Sequence, residues 1–237
     1  QDYYISMGEG AELLADELDI SREDQEEFSF SSHDKAVAAR ESGKFDNEIV
    51  PITLEDGTII DKDSGPRNPD KDKIKSLNPA FRADGTVTAA TSSPFSIGAS
   101  AMLITSEKFA NDNGLKIRAY IEGRAVAGVH WKMFGSGPVP ATAKALEKTG
   151  LSMDDIDVIE LNEAFAAQAL YCIKKANWDI NKVNLNGGAV ALGHPLGISG
   201  TRIITTLLNV LEQKDKSIGL ATMCVGTGQG ITTIIKR

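Results

Sequence analysis

The stretch Asn186-Gly187-Gly188-Ala189-Val190-Ala191-Leu192-Gly193-His194-Pro195-Leu196-Gly197 decides how this chain is read. Four glycines fall within eleven residues, the mark of a tightly turned backbone that passes close to something else. His194 lies among them, held by Pro195. Just beyond, Ile203, Ile204, Leu207, Leu208 and Leu211 recur at helical spacing and predict a helix over 199–212. A histidine placed there suits a general base or an oxyanion donor. Loop histidines are also commonly structural, and the local pattern leaves both readings open.

Upstream, 156–161 predicts a strand and 164–176 a helix. Between them lies Asn162-Glu163-Ala164-Phe165-Ala166. A strand end meeting a helix start is where open α/β sheets bind ligands. Asn162 either caps the helix through its side-chain oxygen or serves chemistry at that edge. Downstream, 218–224 and 231–235 predict strands, joined by Cys224-Val225-Gly226-Thr227-Gly228-Gln229-Gly230. A thiol with an ordinary pKa of about 8.5 can move a proton near neutral pH; a lone buried cysteine is more commonly inert packing. The glycines allow backbone N–H groups to point inward as an oxyanion hole. A dinucleotide-binding loop is excluded, because it needs a following helix and the last seven residues read as a strand. Cys172 falls on the 164–176 helix with Phe165, Ala169 and Ile173 and reads as core. His33 and His130 read as surface or packing residues.

In the first half, a short helix is expected over 9–18. Ser21, with Asp24 three residues on, opens a longer one that runs to about Ser42 and ends at Gly43 in a left-handed cap. Residues 49–52 and 58–60 flank Glu55-Asp56-Gly57 as a hairpin, with Pro51 implying an edge strand. Residues 61–76 are a charged surface loop with one helical turn at most. A buried strand is expected over 101–104, a helix over 107–111 ended at Gly114, a strand over 116–126, and a helix over 138–148 with proline in its first turn and Gly150 at its end. The second half thus alternates strand and helix and closes with two strands, an α/β layered unit with helices on a mixed sheet.

The 237 residues carry a net charge of −8, which argues against nucleic acid as a general partner. No apolar run reaches membrane-spanning length, and the acidic first thirty residues do not read as a signal peptide. Two cysteines without a Cys-x-x-Cys pair argue against a disulfide framework and a zinc site; a reducing, cytoplasmic setting is expected.

Together these stretches resemble the thiolase family. Residues 162–165 are similar to its Asn-Glu-Ala-Phe motif, 186–200 to its Gly-Gly…Gly-His-Pro motif, and 224–230 to its terminal Cys-x-Gly-x-Gly-x-Gly motif. Gly137-Pro138-Val139-Pro140-Ala141 fits upstream, and the resemblance covers essentially the whole chain. It implies a thiolase-type layered α/β fold, a mixed sheet with helices on both faces. Residues 1–92 would form a loop domain covering coenzyme A, 93–115 the end of an N-terminal half, and 116–237 the C-terminal half. The implied activity is acyl transfer: thiolytic cleavage of 3-ketoacyl-CoA to acetyl-CoA and a shortened acyl-CoA, or the reverse condensation, as in fatty-acid β-oxidation. Coenzyme A would be a substrate, with no separate cofactor and no metal. His194 would activate a nucleophilic cysteine and contribute to an oxyanion hole. Cys224 would exchange protons with the α-carbon of acetyl-CoA and with the leaving thiol. Asn162 would hold a water at the thioester oxygen, and the Gly226 backbone would donate to a second oxyanion hole. Ser93 would contact the pantetheine arm and Arg67 the nucleotide. A homodimer or homotetramer is implied.

The family's nucleophilic cysteine belongs to an N-terminal half, and neither Cys172 nor Cys224 matches it. About 150 residues, one domain's worth, are then expected ahead of Gln1. The 237 residues alone are expected to lack useful turnover, since losing a covalent nucleophile can cost on the order of a millionfold. The chain also has Ser96-Ile97-Gly98 where the family has Asn-Asp-Gly or Ser-Asp-Gly, and His130-Trp131 where it has Asp-Pro. Two other classes compete: a non-catalytic CoA-binding or interaction module, which an inert His194 variant would favour, and a related decarboxylating condensing enzyme, which malonyl thioesters would reveal.

Overall fold

A computed structural model describes residues 4–237; residues 1–3 of the expected loop domain lie outside the described residues. In chain order the elements are α1 (Met7–Glu17), α2 (Arg22–Glu41), β1 (Ile52–Thr53), β2 (Ile59–Ile60), α3 (Lys71–Lys75), α4 (Glu107–Asp112), β3 (Tyr120–Gly128), α5 (Pro138–Thr149), β4 (Val158–Leu161), α6 (Ala166–Ala176), α7 (Ala189–Leu192), α8 (Ser199–Gln213), β5 (Ile218–Val225) and β6 (Gln229–Lys236).

Local chemistry sets many of these limits. Ser6 caps α1 by accepting the Glu9 N–H, while the Glu9 carboxylate accepts the Ser6 N–H. This complete capping box starts the helix two residues earlier than expected. At α2, Ser21 accepts the Asp24 N–H, as expected, but the Asp24 carboxylate pairs with Lys174 on α6. Gly43 follows in a left-handed conformation, φ +69°. Pro138 opens α5 and Gly150, φ +70°, closes it.

The main sheet has the order β3-β6-β5-β4. β3 and β5 each run antiparallel to β6, and β4 runs parallel to β5. The parallel pair requires a crossover, which carries α6, α7 and α8. Helices cover both faces. On one face Ile159, Leu161, Leu220 and Ile234 pack with Ala145 of α5 and Ala167, Ala169, Leu170 and Ile173 of α6. On the other, Val158, Ala221 and Ile235 pack with Ile203, Leu207, Leu208 and Leu211 of α8. Ala11 and Leu14 of α1 join the first cluster, so the N-terminal helices share the core of the sheet. The buried Glu12 carboxylate binds this region further by accepting the Thr86 and Val87 N–H groups.

Two expected strands are corrected. Residues 101–104 form no strand, and Leu103 and Ile104 are 74% and 67% exposed. An apolar extended run becomes a strand only when a neighbour pairs its backbone, and among the described residues none does. The strand expected from 116 begins at Tyr120, opposite Lys236. Because β6 ends there, 116–119 have no partner in the ladder. Cys172 is core as expected, fully buried, its thiol donating to the Gly135 carbonyl. His33 is likewise buried, and accepts the Arg67 N–H.

Candidate active site

The candidate site lies beyond the carboxyl ends of β4 and β5. Leu161 of β4 pairs with Thr222 of β5, and the Asn162 N–H donates to the Thr222 carbonyl at 3.0 Å. Asn162 therefore leaves β4 level with a point two residues before Cys224. The structure removes the capping reading of Asn162. The chain bends at Ala164, an isolated bridge joins Phe165 to Ser92, and α6 begins only at Ala166, without a side-chain cap. The Asn162 amide points elsewhere: its Nδ2 lies 3.4 Å from His194 Nε2.

His194 is placed by the glycine-rich segment. Gly187 (φ +82°) and Gly193 (φ +93°) adopt left-handed conformations. A side chain on Gly187 would collide with Ser32 and Ala36 of α2, and one on Gly188 with the Glu163 carboxylate. The glycines thus let the loop lie against α2 and the strand end, as their spacing predicts. After the one-turn α7, His194 Nδ1 meets the Ser199 hydroxyl at 2.6 Å, and that hydroxyl donates to the Pro195 carbonyl at 3.0 Å.

These contacts select one tautomer. Ser199 has a single hydroxyl proton; given to Pro195, it leaves the oxygen to accept from Nδ1–H. As the Asn162 amide is oriented, Nδ2 faces the ring and Oδ1 is buried without a partner, so Nδ2 donates and Nε2 accepts. The ring is then neutral, with a lone pair on Nε2 facing Asn162. Burial, reinforced by the Arg202 charge, lowers the His194 pKa below the ordinary imidazole value. Both effects favour a free base.

Cys224 is buried near the end of β5, and burial pushes its thiol up to about 12. It is therefore a protonated thiol. No hydrogen bond joins it to His194. The glycines that follow divide by function. Gly228 (φ +92°) lies against Val129 and Trp131, and Gly230 lies against the backbone of Gly137; neither has room for a Cβ. Gly226 is exposed, with nothing within 4 Å of an added Cβ. Of the three, only Gly226 has open space beside its backbone.

The other predicted residues sit further out. Ser93 donates both its N–H and its hydroxyl to the Ala164 carbonyl, at 3.0 Å each, which places it beside the 162–165 stretch. Arg67 is exposed, its guanidinium 3.3 Å from the Gly65 carbonyl. Sequence reasoning missed Ser199, read only as a helix start, and the polar group formed by Ser32, Glu163 and Asn184. The one available signal for Ser199 was a hydroxyl five residues after His194 in a helix's first turn. A cavity of about 260 Å³ borders Ser32, Glu163 and Asn184 between α2 and α6; neither His194 nor Cys224 lines it. Among the described residues, no group of three or more His, Cys, Asp or Glu is placed to hold a metal, and no helix is long and apolar enough to cross a membrane.

A histidine, an amide and a buried thiol thus gather at the carboxyl edge of a mixed α/β sheet. The chain belongs to the thiolase family. The model of the thiolase C-terminal domain matches residues 115–237 and that of the N-terminal domain residues 2–108. A 3-ketoacyl-CoA thiolase of Vibrio vulnificus is 55% identical over 98% of the chain and 62% of its own length. One from Vibrio parahaemolyticus is 54% identical over 98% and 61%. Among solved structures, a Bacillus anthracis acetyl-CoA acetyltransferase superimposes with a TM-score of 0.96 at 43% identity, over 98% of this chain and 60% of that one. Human mitochondrial 3-ketoacyl-CoA thiolase in complex with CoA gives 0.95 at 39% identity, over 98% and 59%. The chain thus spans about three fifths of the length of the curated relatives it matches.

Proposed function

We propose that the complete protein is a 3-ketoacyl-CoA thiolase, cleaving 3-ketoacyl-CoA with coenzyme A to acetyl-CoA and a shortened acyl-CoA, or running the reverse condensation. The observation that carries this is the meeting of the Asn162 amide with His194 Nε2, one strand away from the buried thiol of Cys224. The names of the relatives supply the substrate class.

In this reading His194 Nε2 takes the proton of a nucleophilic cysteine, whose sulfur bonds the 3-keto carbon. The C2–C3 bond breaks, and Cys224 gives its proton to the departing α-carbon, releasing acetyl-CoA. Coenzyme A then loses its thiol proton to the Cys224 thiolate and attacks the acyl-cysteine. The acyl group moves to coenzyme A, and the proton held by His194 returns to the cysteine. Asn162, through a water, and His194 serve one developing oxyanion; the Gly226 N–H serves the other. Ser93 lies along the pantetheine arm, and Arg67 lies near the nucleotide within a loop domain of residues 1–92. Residues 93–115 complete the N-terminal half and 116–237 form the C-terminal half. A cytoplasmic homodimer or homotetramer fits the family resemblance.

The test is release of acetyl-CoA from a 3-ketoacyl-CoA and coenzyme A by the complete protein, with His194→Asn as control. A folded protein that binds coenzyme A and releases no acetyl-CoA overturns the proposal.

A further inference from the structure

Glu163 follows Asn162 and is fully buried, yet the mechanism above does not use it. Its carboxylate is met by three donors from separate parts of the chain. The Ser32 hydroxyl of α2 donates to Oε2 at 2.7 Å, and the Val190 N–H of α7 to the same oxygen at 3.1 Å. The Asn184 amide donates to Oε1 at 2.7 Å. The network closes on itself. The Gly188 N–H donates to Ser32 Oγ at 3.1 Å. Asn184 also brackets Leu161, accepting its N–H and donating to its carbonyl, each at 2.8 Å. One carboxylate therefore fixes the strand end that carries Asn162 and the glycine loop that carries His194. Gly188 is bare because the carboxylate occupies the space a side chain would need.

We propose that Glu163 is a positioning residue: its carboxylate sets the relative placement of Asn162 and His194. Every partner at the site is a donor, so an ionised acceptor satisfies all three. Burial pushes the Glu163 carboxyl up while Ser32, Asn184 and Val190 pull it back. A carboxamide of the same size would set an NH₂ against one of these donors and break one corner of the network. The proposal rests on the reading of Asn162 and His194 as the catalytic pair, and its test separates the two.

The experiment compares wild type, Glu163→Gln and Ser32→Ala in the complete protein. Nitrogen NMR of labelled histidine reads the His194 tautomer and pKa, with the resonance assigned by its loss in His194→Asn. Kinetics read kcat and KM. The expected result is a mixed His194 tautomer, with a fall in kcat of about tenfold or more and a KM changed less than about twofold. Ser32→Ala, which removes one donor and keeps the carboxylate, should shift the same readouts by less; it decides the matter if Glu163→Gln fails to fold. Folded variants with an unchanged His194 tautomer and pKa overturn the proposal, even if their melting temperature falls. An altered His194 with unchanged turnover upholds the positioning role and overturns the catalytic reading of His194 instead.

Discussion

His194 Nδ1 lies 2.6 Å from the hydroxyl of Ser199, one turn into the structure that follows it. This contact holds the imidazole by the nitrogen that does not face Asn162. Removing it frees the ring to rotate and to exchange tautomers. Ser199→Ala should lower kcat for thiolysis by about tenfold, the worth of one such hydrogen bond, with little change in KM. Steady-state kinetics on the complete protein check this.

The pH dependence follows from the burial of His194. Its lowered pKa keeps the ring neutral at a pH where a free imidazole would begin to protonate. The acid limb of kcat/KM should therefore lie below about 6.5. Arg202 contributes to this depression through its charge. In Arg202→Gln the limb should move up towards the ordinary value. A limb that stays in place would show that burial alone sets it.

Glu160 offers a separate test on stability. It lies inside β4, fully buried, and burial raises its pKa from 4.5 to about 8; Glu48 and Glu163 add to the rise, while Arg202 and Lys35 oppose it. Between those two values the folded chain holds a proton that the unfolded chain has released. Stability should then fall as pH rises, by up to ~1.4 kcal/mol per pH unit, and level off above the folded pKa. Glu160→Gln removes that titration. Its loss of stability between about pH 5 and about pH 8 should be smaller than that of wild type by at least ~1 kcal/mol, as read by urea unfolding at each pH.

The glycines after Cys224 should respond in opposite ways. Gly230→Ala drives a methyl group into the Gly137 backbone and should destabilise the fold by ~1–3 kcal/mol. Gly226→Ala meets open space and should leave stability within ~0.5 kcal/mol. Thermal melts of the two variants check the contrast.

Much of this was legible from local chemistry. Ser21, Pro138, Gly43 and Gly150 mark helix ends with side chains or conformations that act within a few residues, so reading them needs no knowledge of the fold. The glycine spacing around His194 also announced a close approach, though not that the neighbours would be α2 and Glu163. What failed was whatever depended on a distant partner. Residues 101–104 look like a strand until the absence of a pairing edge is known. Asn162 looks like a cap until the bridge between Ser92 and Phe165 shows that the helix starts only at Ala166. Ser199 and Asn184 are ordinary polar residues in sequence; only the folded chain brings one under the imidazole and the other across the end of β4.

The parallel pairing of β4 with β5 has a consequence in time. Asn162 and Cys224 flank a crossover that contains α6, α7, His194 and α8. The β5–β6 hairpin can form early from neighbouring residues, with its glycine turn already in shape. Bringing β4 beside β5 instead means closing a long loop, which is slow because its entropy is lost before the strand pairing is gained. A partly folded chain can therefore own the thiol strand and its turn while its histidine and amide are still far apart. The thiol of Cys224 and the amide of Asn162 come level only once that loop has closed.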